Sequence, residues 1–293
     1  MDVIKIENLE KDYGNKTGIF DVSFTVKKGE VFGFIGPNGA GKSTTIRVLL
    51  GILKATSGAA KIFGKDVWDD AIEIHKRIAY VPGDVNLWPN LTGGEIIDLF
   101  ITLQGTKDNG KREELIKRFE FDPSKKNRTY SKGNRQKVAL IAALSSEAEL
   151  YILDEPTSGL DPLMEKVFQE CILELKEKGK TVLLSSHILS EVETLCDRVA
   201  IIRNGEIVDI GTLDEMRYLN KTTLLIKTKE KVKDVSKQKY ISDFKGTDTD
   251  FEFSVETADI DKVMTLITPY KIIKIESILP SLEELFMKHY NGK

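Results

Sequence analysis

Long apolar runs are missing from this 293-residue chain. A membrane-spanning helix needs roughly 18–20 consecutive apolar residues, and the longest runs, such as Val48–Leu53, stop far short of that and give way to polar residues. Cysteine is almost absent, with only Cys171 and Cys196, both in stretches that read as helical. Two reduced, half-buried thiols are therefore expected, not a disulfide scaffold. Positive charge is not in surplus either: 43 Lys plus Arg face 46 Asp plus Glu, for a formal net charge of −3. That leaves no electrostatic footprint for nucleic acid as a partner. The opening Met-Asp-Val-Ile-Lys-Ile lacks the basic n-region and apolar h-region of a secretory leader, so a cytoplasmic chain is expected. No internal repeat, low-complexity tract or heptad run is visible.

What is there is an ordinary globular composition, 41% hydrophobic and 30% charged, able to bury a core. Over residues 1–217, short β-branched runs alternate with helical patterns. Strands are expected at Val3–Ile6, Ser23–Val26, Val31–Ile35, Ile78–Val81, Tyr151–Leu153, Thr181–Ser185 and Val199–Ile202. Helices are expected near Lys42–Ile52, Gly133–Leu144, Leu163–Lys178 and Leu189–Cys196. That alternation points to an α/β fold built on a parallel sheet. Asn204-Gly205 between two apolar runs reads as a hairpin turn.

The composition changes near Leu219. Residues 222–293 hold no arginine and carry twelve lysines against twelve acidic residues, so the net charge belongs to the first part. Their pattern reads as strand (Thr223–Thr228), a lysine-rich stretch, strand (Phe251–Val255), helix (Ile260–Thr268), strand (Ile272–Ile275) and helix (Leu282–Tyr290). This is a small C-terminal α+β unit, an accessory domain of regulatory or dimer-supporting character. The stretch Lys227–Lys239, in which Val232 and Val235 interrupt the charges, reads as a solvated face and not a membrane-surface patch.

The strongest chemical signal is Gly36-Pro37-Asn38-Gly39-Ala40-Gly41-Lys42-Ser43-Thr44, followed by Thr45. It fits G-x-x-x-x-G-K-[ST], directly after the run Val31–Ile35 and directly before a helical pattern. In that setting the glycines let backbone amides turn toward an anion, and the helix N-terminus favours negative charge. Lys42 is expected against the β- and γ-phosphates of ATP, with the Ser43 hydroxyl on Mg²⁺.

A second half of such a site is offered by Leu150-Tyr151-Ile152-Leu153-Asp154-Glu155, an apolar strand ending in two carboxylates. Asp154 is placed for the Mg²⁺ shell. Glu155 is placed to polarise an attacking water as general base. A strand followed by two acids is common at the start of a loop; its pairing with the phosphate loop gives it meaning.

Further stretches fall in a telling order. Tyr130-Ser131-Lys132-Gly133-Asn134-Arg135-Gln136-Lys137 resembles the LSGGQ signature of ABC ATPases. Ser158-Gly159-Leu160-Asp161 is similar to their D-loop and Ser186-His187 to their switch histidine. Tyr13-Gly14 stands where they carry the aromatic residue that stacks on adenine. The resemblance covers about residues 2–217 and identifies the chain as similar to ABC transporter ATP-binding subunits. It implies a P-loop NTPase fold: a RecA-like core, an antiparallel β subdomain and a helical signature subdomain. It also implies a head-to-tail dimer in which ATP lies between the phosphate loop of one subunit and the signature of the other. Ser131 and the backbone of Gly133 would then reach the γ-phosphate in trans, with Asn134 beside them among the nucleotide-binding residues, His187 would help place the water, and Asp161 would couple the two sites. His75 and His289 have no such context.

Two departures stand out. The family's Q-loop glutamine is replaced by Gly83 in Tyr80-Val81-Pro82-Gly83-Asp84, and Asp84 is the candidate acidic substitute near the metal shell. The signature carries Lys132 and Asn134 where glycine and glutamine are usual. In the segment after the Q-loop, Leu87, Trp88 and Leu91 are candidate contacts to a membrane permease. Pro280-Ser281-Leu282-Glu283-Glu284-Leu285-Phe286 resembles the tail of exporter ATPases that serve a separately encoded permease. An Mg²⁺-dependent ATP hydrolase on the inner membrane face, paired with an identical or paralogous subunit and powering export, is therefore the expected function. An importer subunit or a soluble, non-transport ABC ATPase is the alternative.

Overall fold

Every residue of Val31–Ile35, Leu150–Asp154 and Thr181–Ser186 is buried. A strand buried on both faces belongs in the middle of a parallel sheet covered by helices. The computed structural model, which describes residues 1–105, 110–218, 221–233 and 235–278, has that architecture. The chain divides into two compact units, Met1–Ile210 and Gly211–Lys293.

In the first unit, β1 (Asp2–Asp12) and β2 (Gly18–Lys27) form an antiparallel pair, followed by β3 (Val31–Ile35), α1 (Lys42–Leu49), β4 (Ser57–Ile62), β5 (Lys65–Asp66), α2 (Ala71–His75) and β6 (Ile78–Val81). Next come α3 (Gly93–Leu103), α4 (Lys111–Arg118) and α5 (Lys132–Leu144), the helical segment. The chain then returns through β7 (Leu150–Asp154), α6 (Pro162–Glu177), β8 (Thr181–Ser186), α7 (Leu189–Leu195), β9 (Arg198–Arg203) and β10 (Glu206–Thr212). Two sheets result. One has the order β2-β1-β4-β5 with antiparallel pairing; the other has the order β10-β9-β3-β8-β7-β6, with β9, β3, β8, β7 and β6 parallel. Their shared core includes Phe24, stacked on Phe32 and tilted against Phe34, both with centroids 5.2 Å apart.

Local chemistry explains the boundaries. Asn204 and Gly205 both have positive φ, 50° and 84°, as a two-residue hairpin turn between β9 and β10 requires. Thr92 and Glu95 form a capping box at the start of α3: Glu95 N donates to Thr92 Oγ1 at 3.2 Å and Thr92 N to Glu95 Oε2 at 2.7 Å. Cys171 and Cys196 are free, as expected, and fully buried instead of half-buried. Among the described residues, no helix is long and apolar enough to cross a membrane.

The second unit holds α8 (Leu213–Tyr218), β11 (Lys221–Thr228), β12 (Ile241–Gly246), β13 (Asp250–Glu256), α9 (Ile260–Ile267) and β14 (Ile272–Ile278), with sheet order β12-β13-β11-β14. Strand β12 was not expected from the sequence. The lysine-rich stretch is not simply a solvated face: Val232 and Val235 are buried in this unit's core beside Phe251 and Phe253. The expected helix Leu282–Tyr290, the Pro280–Phe286 tail and His289 lie outside the described residues.

Candidate functional site

The phosphate loop leaves β3 at Gly36 and enters α1 at Lys42. Ala40 N donates to Pro37 O at 3.1 Å, and the hairpin residue Gly205 donates its amide to Ala40 O at 2.9 Å. Gly41, at φ 114°, caps α1 in a conformation that side chains avoid, and a Cβ there would sit 2.7 Å from Ile19 Cγ2. Glycine is the residue that fits. Asn38 and Gly39 at the loop tip are exposed, Pro37, Ser43 and Thr44 half-buried, and Gly36 buried. Thr45 is buried, its hydroxyl donating to Gly41 O at 3.0 Å inside the helix.

Lys42 is only 4% exposed. Its ammonium donates to Gly36 O at 2.7 Å and Pro37 O at 3.2 Å, and stands 3.4 Å from Glu155 Oε1. Parallel pairing sets Asp154 at the end of β7 opposite Ser185 on β8. The Ser185 hydroxyl donates to Asp154 Oδ1 at 2.7 Å. Glu155 then turns away with φ 47°, a conformation uncommon for any residue but glycine, and its amide donates to Ser185 O at 2.9 Å. This turn aims the carboxylate back at the loop, with Oε2 3.4 Å from His187 Nδ1. The structure thus brings Lys42, Glu155 and His187 together, with Asp154 one residue away.

The donor types also suit a divalent cation. A serine hydroxyl (Ser43) and a carboxylate (Asp154) are hard oxygen ligands of the kind Mg²⁺ takes in small number, the rest coming from phosphate and water. Among the described residues, no group of three or more His, Cys, Asp and Glu side chains could hold a metal alone.

The signature opens a helix. Ser131 is the N-cap of α5, accepting from Asn134 N at 3.3 Å. A Cβ on Gly133 would run into the carbonyl oxygen of Gly159, so signature and D-loop of the same chain are in close contact. Lys132, one of the two departures, donates to Ser158 Oγ at 2.7 Å across that contact. Asp161 is the N-cap of α6, accepting from Leu163 N and Met164 N, both at 3.1 Å, with Pro162 beginning the helix. Tyr13 is 53% exposed, with Lys11 Nζ 5.7 Å from its ring centroid. A Cβ on Gly83 would stand 3.2 Å from Asp154 O, so the Q-loop passes close over β7. Among the described residues, the hydrogen-bond partner of Asp84 is Asn86, at 3.4 Å. His75 is structural, with Nε2 2.8 Å from Leu50 O.

Sequence reasoning missed three supporting residues. Ser185 holds Asp154. Tyr80, on β6, has its phenol pushed up to about 12 by burial and then by Asp154, so it stays protonated. Glu191, on α7, is 3% exposed and accepts from Ser186 Oγ at 2.6 Å. Ser185 was legible only as a strand residue and Ser186 only as the neighbour of His187, because nothing in the sequence reveals which group a strand-end hydroxyl meets.

Known proteins resemble the chain over most of its length. The family model for ABC transporters matches residues 19–158. The chain is 30% identical to the linearmycin resistance ATP-binding protein LnrL of Bacillus subtilis (strain 168), over 97% of each chain. It is 36% identical to the bacitracin transport ATP-binding protein BcrA of Bacillus licheniformis, over 76% of this chain and 74% of the other. Among solved structures it resembles the dimeric post-hydrolysis state of the ATP-binding cassette MJ0796 bound to ADP and Pi, with TM-score 0.65 and 26% identity over 72% of this chain and 98% of that one. Fold, motif order and near full-length similarity converge: the chain belongs to the ATP-binding subunits of ABC transporters, P-loop proteins whose ATPase domain hydrolyses ATP.

Proposed function

We propose that this subunit is an Mg²⁺-dependent ATP hydrolase that works at a head-to-tail dimer interface and drives export through a separately encoded membrane permease. The observation that carries the hydrolytic reading is the convergence of Lys42, Glu155 and His187, each contact 3.4 Å. Residues 36–45 bind the phosphates, with Lys42 countering the charge of the β- and γ-oxygens. Tyr13 stacks on the adenine. Ser43 and Asp154 would hold Mg²⁺, which when bound would neutralise charge building up on the phosphates. Glu155 takes the proton of the attacking water, and His187, facing the same carboxylate, orients that water.

Ser131, Gly133 and Asn134 act on the nucleotide of the partner subunit. The N-cap position of Ser131 supports this, because the start of a helix favours an anion. Asp161 lies on the same D-loop that Lys132 touches through Ser158, which supports a role in coupling the two sites. ATP closes the dimer and hydrolysis reopens it, a population shift driven by contacts made only in the closed form.

The permease side is supported by a groove of about 190 Å³ whose lining includes Tyr80, Val85, Leu87, Phe100 and Ala142. Trp88 is 52% exposed, its ring centroid 6.2 Å from that of Phe100. Export as the direction is supported by the relatives named for linearmycin resistance and bacitracin transport. Such a subunit sits at the cytoplasmic face of the membrane. Residues 222–293 act as an accessory domain, regulatory or dimer-supporting.

Sedimentation of the Glu155→Gln chain tests the reading. Dimer with ATP and Mg²⁺, and monomer with ADP or with EDTA, is the expected result. A monomer under all three conditions overturns the dimer-interface assignment.

A further inference from the structure

Strand β8 ends in two serines whose side chains do different work. Ser185 supports Asp154, as described above. The Ser186 hydroxyl instead donates to Glu191 Oε2 at 2.6 Å and accepts from Ile188 N at 3.0 Å. These two bonds fasten the backbone on both sides of His187, whose own ring is 47% exposed and stands 3.4 Å from Glu155 Oε2. A half-exposed ring cannot be held by packing alone, so the loop must hold it.

Glu191 is an unusual residue in that place. It is 3% exposed, and its second oxygen, Oε1, has no hydrogen-bond partner among the described residues. Burying a carboxyl with one oxygen unsatisfied costs stability, and its 2.6 Å bond goes to the residue before His187. An apolar residue would fill the space between α7 and the sheet without that cost. The groups facing Glu191 are acidic: burial, then Glu165 and Glu155, push its acid up to about 7, against the pull of the Ser186 and Thr157 hydroxyls. The Cys196 thiol at the end of α7 faces it as well, pushed well above its ordinary range by burial and by Glu191. Glu191 therefore lies beneath both the His187 loop and the turn that follows Glu155.

We propose that Glu191 is a positioning residue for the switch loop: it accepts a hydrogen bond from the Ser186 hydroxyl, fixes that hydroxyl against the Ile188 amide, and so sets where the His187 ring stands beside Glu155. Glu191 touches neither nucleotide nor water; it acts through Ser186 and His187. This rests on the reading of Glu155 and His187 as residues of the reacting site.

The test combines the histidine ring signals of the nucleotide-free protein, assigned with His187→Ala, and steady-state ATP hydrolysis. Glu191→Leu and Ser186→Ala are expected to move the His187 ring cross-peak while leaving that of His75 in place. Both are expected to lower kcat at least tenfold with KM for ATP within about twofold. Glu191→Gln, which keeps an acceptor for Ser186, is expected to restore the cross-peak and most of kcat, and to flatten the pH dependence of kcat between pH 6 and 8. A wild-type His187 signal and wild-type kcat in Ser186→Ala and Glu191→Leu overturn the proposal. So does a Glu191→Gln chain in which neither the His187 signal nor kcat recovers, which marks a structural role only. Should Glu191→Leu fail to fold, Ser186→Ala carries the same comparison. The ring signal needs no turnover: hydrolysis persisting in Glu155→Gln would sink the role of Glu155, while the cross-peak would still decide that of Glu191.

Discussion

The Lys42 ammonium stands 3.4 Å from Glu155 Oε1, with the lysine side chain 4% and the glutamate side chain 24% exposed. A phosphate-loop cation and the candidate base thus lie within one contact of each other before any nucleotide is considered. Phosphate oxygens arriving at the loop compete for that ammonium, along with the carbonyls of Gly36 and Pro37 that it already serves. The lysine proposed to bind the phosphates is in this way tied to the carboxylate proposed to activate the water.

Lys42→Ala removes both halves of that relationship. ATP affinity, measured by calorimetric titration, is expected to fall at least tenfold, because a charge-assisted bond to phosphate is lost at a buried position. Unchanged ATP binding would contradict the phosphate-loop assignment.

Gly133→Ala places a methyl group against the carbonyl of Gly159, so the signature and the D-loop must separate. Turnover is expected to fall tenfold or more while ATP affinity stays within about twofold, since the phosphate loop is untouched. Wild-type turnover would mean that the close contact of these two segments has no part in hydrolysis.

Glu191 links stability to pH. Its acid is raised to about 7 by burial, so the folded chain holds this proton more tightly than the unfolded one. The contribution is complete below the ordinary carboxylate range and is lost as pH rises through about 7, by up to about 3 kcal/mol. Urea unfolding at pH 5 and pH 7.5 is expected to show a larger fall for the wild type than for Glu191→Gln. Equal falls would mean that Glu191 titrates alike in both states.

Much of this was legible in the sequence because the signals were local. The phosphate loop needs only its glycines, its lysine and a strand before it, and Val31–Ile35 announced that strand by being apolar throughout. Asn204-Gly205 fixed a turn by its own backbone preference. Strand β12 was missed because Ile241–Gly246 carries only a partial alternation, and two of its residues pair out of simple register with β13. Val232 and Val235 looked solvated because lysines surround them, yet a charged neighbour does not prevent an isolated valine from entering a core. The support of Asp154 by Ser185, and of the His187 loop by Glu191, depends on which residues parallel strands bring abreast. That information is tertiary and lies in no single stretch.

ATP turnover of the purified chain against protein concentration, with Glu155→Gln in parallel, tests the central claim most directly. Turnover is expected to rise more steeply than linearly for the wild type and to fall at least a hundredfold in the mutant, within the range of a lost general base. Turnover strictly proportional to concentration, or a mutant as fast as the wild type, would contradict it.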